Sequence, residues 1–193
     1  MSDTIQLSDD LIIGTGRDRI CYEHPTIKDQ CIKISISSHK QSRREVRYFS
    51  FLNRKKVDLS HISTFLGKVK TNQGAGFCFE LVRNEDGKIS LTLRESLEKQ
   101  IFSLKDIQPK LEYLKEYLIS NGICIRDISP SNIICQNTAK GINLIVIDGI
   151  GNSNINPLTI RLPRLINSAI IKAWKSLDRK LARIEESLNR TDS

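Results

Sequence analysis

The apolar pattern of this chain changes period once, and that change limits the folds open to it. Up to residue 82 the apolar residues come in short runs, LIIG, RICYE, QCIKISIS, TFLGKVKT and GFCFELV, separated by Gly, Asn and Asp turn residues, as expected of β-strands. One interval breaks the series: SHKQSRREVRYFSFLNRK carries Val46, Phe49 and Leu52 three apart, with Glu45 just before them, and predicts a helix. The expected order is three strands, one helix, two strands. NEDGK at positions 84–88 has the composition of a turn, and beyond it the pattern becomes helical. LTLRESLEK predicts a short helix. SLKDIQPKLEYLKEYLISNG predicts a longer one, with Leu111, Leu114 and Leu118 on one face and Gly122 as its stop. NIICQ and INLIVID predict a β-hairpin around 137–142. Ile166, Ile170, Ala173, Leu177, Leu181, Ile184 and Leu188 then predict one long amphipathic helix. Its stripe reads first as core packing and second as a partner-binding face. The chain is therefore α+β, with a β-rich part over 1–82, a helical part over 83–193 and a joint near 83–88. A cleft between two such parts is where ligands tend to sit.

At 193 residues the chain suffices for one sizeable domain or two small lobes sharing a cleft. No stretch approaches the roughly 18 consecutive apolar residues of a membrane span. The polar, acidic start MSDTIQLSDDLIIG lacks the pattern of a signal peptide, so a cytoplasmic protein is expected. Cys21, Cys31, Cys78, Cys124 and Cys135 are odd in number and form no CxxC pair, which predicts buried reduced thiols rather than a zinc site or disulfides. His24, His39 and His61 share no ligand spacing with them. The formal net charge is +8. Beyond position 150, Arg161, Arg164, Lys172, Lys175, Arg179, Lys180, Arg183 and Arg190 face only Asp178, Glu185, Glu186 and Asp192. Charges strewn along one helix read as its solvated face in preference to a nucleic-acid surface.

The chemistry concentrates in GICIRDISPSNIICQ, which sets Arg126 and Asp127 inside an apolar run and Asn132 five residues after the aspartate. A second acid, Asp148, ends the run LIVI and is followed by Gly-Ile-Gly. A carboxylate at the end of an apolar strand is costly to bury unless it is paired, hydrogen-bonded or bound to a cation. Two acids and an amide around one hairpin suggest Mg2+, a hard cation that takes oxygen ligands and leaves positions for phosphate. The glycines after Asp148 leave room for backbone or phosphate to approach. IGTGRDRICYE places Gly14 and Gly16 between two strands, where a hairpin could fold over phosphates. Lys33 lies in the apolar strand CIKIS and needs a cleft or a counter-charge; Glu45 on the following helix could supply it.

In this order the pieces resemble the protein kinase-like fold, with its Gly-rich loop, strand lysine paired with a helix glutamate, catalytic-loop aspartate and asparagine, and metal-binding aspartate. More closely, GTGRDRICYEHP, CIKIS, FELVRNEDG, IRDISPSNIICQ and VIDGIG resemble the bacterial YrbL family, the PhoP regulatory network proteins. The resemblance implies one two-lobed domain over 1–193, a reduced second lobe, and ATP and Mg2+ as cofactors. It implies that Gly14 and Gly16 cover the phosphates and that Lys33, paired with Glu45, holds the α- and β-phosphates. Phe79 would guard the back of the adenine pocket, and the backbone of Glu80 and Val82 would bond to adenine. Asp127 would orient or deprotonate an acceptor hydroxyl on a protein or small molecule, while Asn132 and Asp148 would ligate the metal. Arg126 would pair with a phosphorylated loop or a nearby carboxylate.

Four positions depart from protein kinases: Arg19 stands at the third loop glycine, Ile125 at the usual histidine, Ser129 at the catalytic-loop lysine and Gly149 at the phenylalanine after the metal aspartate. Only 45 residues follow Asp148, without an APE-like segment or room for a peptide-docking platform. The expected function is an ATP- and Mg2+-dependent phosphotransferase. The alternative is a weak or inactive pseudokinase that regulates a partner through the basic C-terminal helix.

Overall fold

The computed structural model describes residues 4–36, 40–125, 127–151 and 163–191. Among these, β1 (Ile12–Thr15), β2 (Arg19–Glu23), β3 (Gln30–Ser35), β4 (Phe65–Thr71) and β5 (Gly74–Glu80) form an antiparallel sheet in the order β1-β2-β3-β5-β4. Helix α1 (Lys40–Arg54) separates β3 from β4. A second sheet follows, β6 (Leu91–Thr92), β7 (Ile133–Thr138) and β8 (Gly141–Val146), also antiparallel and in the order β6-β7-β8. It is accompanied by α2 (Leu93–Glu98), α3 (Leu104–Ser120) and α4 (Pro163–Thr191). The protein is mixed α+β. A difference from the expected elements lies at LTLRESLEK, expected as a single helix. Its Leu91 and Thr92 pair with Cys135 and Ile134 as a strand, and Thr92 then caps α2, its hydroxyl accepting from the Glu95 N–H at 3.2 Å. A two-residue strand is too short to leave a period in the sequence.

The first sheet buries both faces. On one, Tyr22, Ile32, Ile34 and Cys78 pack with Leu7 from the N-terminal segment. That segment is held in place by two hydrogen bonds between Leu7 and the Asn72 side chain, at 2.8 and 3.0 Å. Gly76 permits this packing, because a Cβ there would lie 2.6 Å from Cγ2 of Ile32. On the other face, Cys31, Phe77 and Phe79 meet Tyr48, Phe49 and Leu52 of α1. The same core continues without a break through Leu111, Leu114 and Leu118 of α3, Ile133 and Val146 of the second sheet, and Ile166, Ile170, Leu177 and Leu181 of α4. The apolar stripe of α4 is thus spent on the core, with Leu188 half-buried at its margin. Residues three and four apart on a helix share one face, which is how α4 delivers it. Among the described residues no helix is long and apolar enough to cross a membrane.

Polar links hold the two sheets in register with each other. Arg83, at the joint, ion-pairs with Glu23 of β2 and donates to the carbonyls of Lys28 and Gly87. The segment His61–Ser63 extends the second sheet, with Val146 N–H donating to His61 at 2.9 Å and Ser63 N–H donating to Val146 at 2.9 Å. Tyr48 is 1% exposed, and its hydroxyl accepts from the Cys124 N–H at 2.7 Å, tying α1 to the segment that leads into Asp127. Burial holds this phenol well above its ordinary pKa, so it stays neutral. Tyr48→Phe leaves a buried N–H without its acceptor, and we expect a loss of about 1–3 kcal/mol in urea unfolding. An unchanged midpoint would mean that the bond does not hold the junction.

Candidate functional site

A cavity of 790 Å³ lies between the two sheets. From the first sheet and the joint it is lined by Gly14, Gly16, Lys33, Glu80 and Val82, and from the second by Asn132 and Asp148. Gly14 and Gly16 reach it because the β1–β2 hairpin turns over its mouth, closed by Gly16 N–H donating to the Arg19 carbonyl at 2.8 Å. Strand alternation puts Arg19, Cys21, Cys31 and Lys33 on the face of the first sheet that meets the cavity. Glu80 and Val82 line it as well, but both of their carbonyls already accept: Glu80 from Ser63 Oγ at 2.8 Å, Val82 from Ser90 N–H at 3.1 Å.

At the inner end two carboxylates share one guanidinium. Arg19 donates to Oε2 of Glu45 at 2.7 Å and also to Oδ1 of Asp148. Arg19 is 9% exposed and Glu45 4%. Lys33 is close by; its ammonium donates to the Ile147 carbonyl at 2.6 Å and lies 4.3 Å from the centre of the Phe79 ring. Burial alone would raise the Asp148 pKa, but the Lys33 and Arg19 charges and the Gly149 N–H outweigh it and hold the carboxyl below the usual range. Glu45 goes the other way: burial and the neighbouring Asp148 push its carboxyl up despite both cations. Burial by itself would lower the Arg19 pKa, yet the two carboxylates drive it upward, so the guanidinium is permanently charged.

The expected Lys33–Glu45 pair is therefore replaced by Arg19–Glu45. A guanidinium presents a planar fork that spans two carboxylates, whereas an ammonium is a point charge, and Arg19 sits diagonally across the β2–β3 ladder from Lys33. Phe79 also departs from expectation. It is 1% exposed, lies in the core against Phe49 with ring centres 5.9 Å apart, and is not among the residues lining the cavity.

The loop that carries Asp127 is fixed from beneath. Ile147 N–H donates to the Asn132 carbonyl at 2.9 Å, and Asn132 Nδ2 lies 3.5 Å from the Asp127 carbonyl. Gly149 has φ +79°, and a Cβ there would fall 2.1 Å from the Asp127 carbonyl oxygen. Gly151, at φ +89°, lies against the Tyr48 ring. The space left by these glycines is thus filled by the protein's own backbone and ring, not kept for phosphate. Asp127 is 61% exposed, and its Oδ1 accepts from Lys180 of α4 at 3.1 Å. The same ammonium donates to the Ile128 carbonyl at 3.3 Å. Asp127 and Glu45 lie outside the lining of the cavity, Glu45 behind Arg19 and Asp127 beside α4. Arg126 lies outside the described residues.

Sequence reasoning missed Lys180, one of several cations on α4 with nothing local to single it out. It did note Arg19 as the residue at the third loop glycine, but its two partners are 26 and 129 residues away.

The chain belongs to the PhoP regulatory network protein YrbL family, whose profile matches residues 5–182. Over 161 residues it is 35% identical to the protein described as uncharacterized protein YrbL in Escherichia coli (strain K12), covering 80% of this chain and 77% of that one. The protein of the same description in Shigella flexneri matches to the same extent.

The contact between Gly149 and Asp127 is open to a simple test. Gly149→Ala forces a side chain into a left-handed backbone against a carbonyl, and we expect a loss of at least about 1–3 kcal/mol in thermal or urea unfolding. Gly14→Ala, with nothing within 4 Å of the added methyl, stays within about 0.5 kcal/mol of the parent. Equal effects of the two changes would refute the assigned contact.

Proposed function

We propose that this protein is an ATP- and Mg2+-dependent kinase-like phosphotransferase, with residues 1–82 and 83–193 acting as the two lobes of one domain. One observation carries the reading. The seven residues nominated from the sequence for nucleotide and metal, Gly14, Gly16, Lys33, Glu80, Val82, Asn132 and Asp148, come from separate segments and line the same cavity. That cavity has the size typical of small-molecule sites, and its lining joins an apolar wall to charged and polar side chains suited to an anionic ligand with a metal.

The donor set suits the metal. Asp148 and the Asn132 side chain offer hard oxygen atoms, and Asp148 already holds a cation in the form of the Arg19 guanidinium. Asn132 and Asp148 would hold Mg2+, which when bound offsets the charge on the transferring phosphoryl group. Lys33 would turn from the Ile147 carbonyl toward the α- and β-phosphates, and the Gly14–Gly16 hairpin would cover them. The Val82 backbone would meet the adenine edge. Asp127, the most exposed of the three acids, would take the proton of an acceptor hydroxyl that approaches from solvent, with the Lys180 ammonium beside it. The acceptor is a protein or a small molecule. The family's naming for the PhoP regulatory network supports a regulatory setting, and the proposed location is the cytoplasm.

A second reading, a pseudokinase that binds a partner through α4, is favoured by a specific observation: Asp148 and Asp127 are both already paired with the protein's own cations.

Thermal melting separates these readings from a protein that binds no nucleotide. Mg-ATP at about a hundredfold excess over Kd is expected to stabilise the protein by about 2.7 kcal/mol. Lys33→Ala or Asp148→Ala should abolish the shift, and its absence in the parent protein at millimolar Mg-ATP would sink the nucleotide reading. For turnover, γ-labelled ATP should yield labelled protein or released phosphate, lost in Asp127→Asn. Label transfer that survives this change rules out Asp127 as the base, and nucleotide binding without transfer selects the pseudokinase.

A further inference from the structure

The cluster behind the cavity has a charge balance that bears on which ligand it accepts. Counted with both acids ionised, Arg19 and Lys33 stand against Glu45 and Asp148, two cations and two carboxylates, so the formal charge is zero before any ligand arrives. A free divalent cation entering at Asp148 would meet a site already neutral, with a guanidinium on the oxygen it needs. Adding the metal leaves an excess of two positive charges beside a buried guanidinium and a half-buried carboxylate, which is costly to hold. A polyphosphate arriving with the metal removes that excess and gives the guanidinium a new partner, since arginine binds phosphate oxygens in the same forked manner as carboxylates.

The alternative state has a vacancy prepared for it. Glu45 Oε1 is buried without a hydrogen-bond partner among the described residues, which is rare for a carboxylate oxygen. Lys33 lies near enough to act electrostatically on both Glu45 and Asp148, yet it spends its ammonium on the Ile147 carbonyl. Once Arg19 lets go, Lys33 is the cation left to answer the orphan oxygen.

We infer that Arg19 is an internal counter-ion that occupies the cation position at Asp148, and that it admits a divalent metal only as a complex with a polyphosphate anion. Metal and nucleotide then bind as one unit. The inference rests on the nucleotide reading for the identity of the anion, but the exclusion of free metal by Arg19 stands on the cluster alone.

Mn2+ alone is the probe, with the unbound ion read by electron paramagnetic resonance. The parent protein is expected to bind it weakly. Arg19→Met should bind it at least tenfold tighter, with a rise in Tm on adding Mn2+, and the gain should vanish in the double variant Arg19→Met, Asp148→Asn. Arg19→Lys, whose ammonium cannot span both carboxylates, should be intermediate; it also decides the matter if Arg19→Met does not fold. Parent and Arg19 variants binding Mn2+ equally, or a gain that persists without Asp148, would overturn the proposal. Adding ATP tests the linked part. In the parent it should tighten Mn2+ at least tenfold beyond what ATP in solution accounts for, and this coupling should collapse in Arg19→Met. If ATP changes nothing in either protein while the gain at Arg19→Met remains, the nucleotide reading falls and the exclusion of free metal by Arg19 stands.

Discussion

A buried carboxylate, Glu45, and a half-buried one, Asp148, converge from different elements on one guanidinium, and much of the site depends on that. Glu45 belongs to α1, Arg19 to β2, and Asp148 to the segment after β8. None of the three could be buried alone, because an unpaired charge away from water costs several kcal/mol. Once paired, they fix helix, first sheet and second sheet to one another at the inner end of the cavity. Lys33 adds a further link across the same gap through the Ile147 carbonyl. Behind this polar layer lies the continuous apolar core, so the two sheets are held by burial on one side and by ionic contacts on the other.

The loop bearing Asp127 shows how backbone shape places a charged group. Gly149 lets the chain after Asp148 come against the Asp127 carbonyl, and Gly151 lets it pass the Tyr48 ring. Tyr48 in turn accepts from Cys124, three residues before Asp127. The two acids are thereby held by short contacts through main chain and one aromatic side chain. On the open side, α4 brings Lys180 to Asp127. The basic C-terminal helix is therefore more than a solvated face: one stripe is core, and one of its cations pairs with Asp127 of the candidate site.

Much of the architecture was legible in the sequence, because apolar period and turn residues are local properties. The order of three strands, a helix and two strands appears as read, as do the hairpin of β7 and β8, the long α4 and the stop of α3 at Gly122, whose φ is +60°. The acids and glycines of the candidate site were legible too, since a polar residue inside an apolar run stands out whatever the fold. The pairings between them were not. Lys33 and Glu45 look like natural partners in sequence, but the ladder sets Arg19 diagonally beside Lys33 and gives Glu45 to the side chain with the better reach. Phe79 reads as a pocket wall and does share the sheet face of Cys31 and Lys33, but the placement of α1 covers it with Phe49 and makes it core.

By itself the sequence determined the elements, their order and the residue types available for chemistry, because these follow from local periodicity and from the cost of burying charge. Only the tertiary structure decided which charge meets which. That outcome depends on strand register, on the approach that Gly149 and Gly151 allow, and on where α4 crosses the loop. These are long-range consequences of packing a single core, and Arg19 and Lys180 acquire their partners only when it closes.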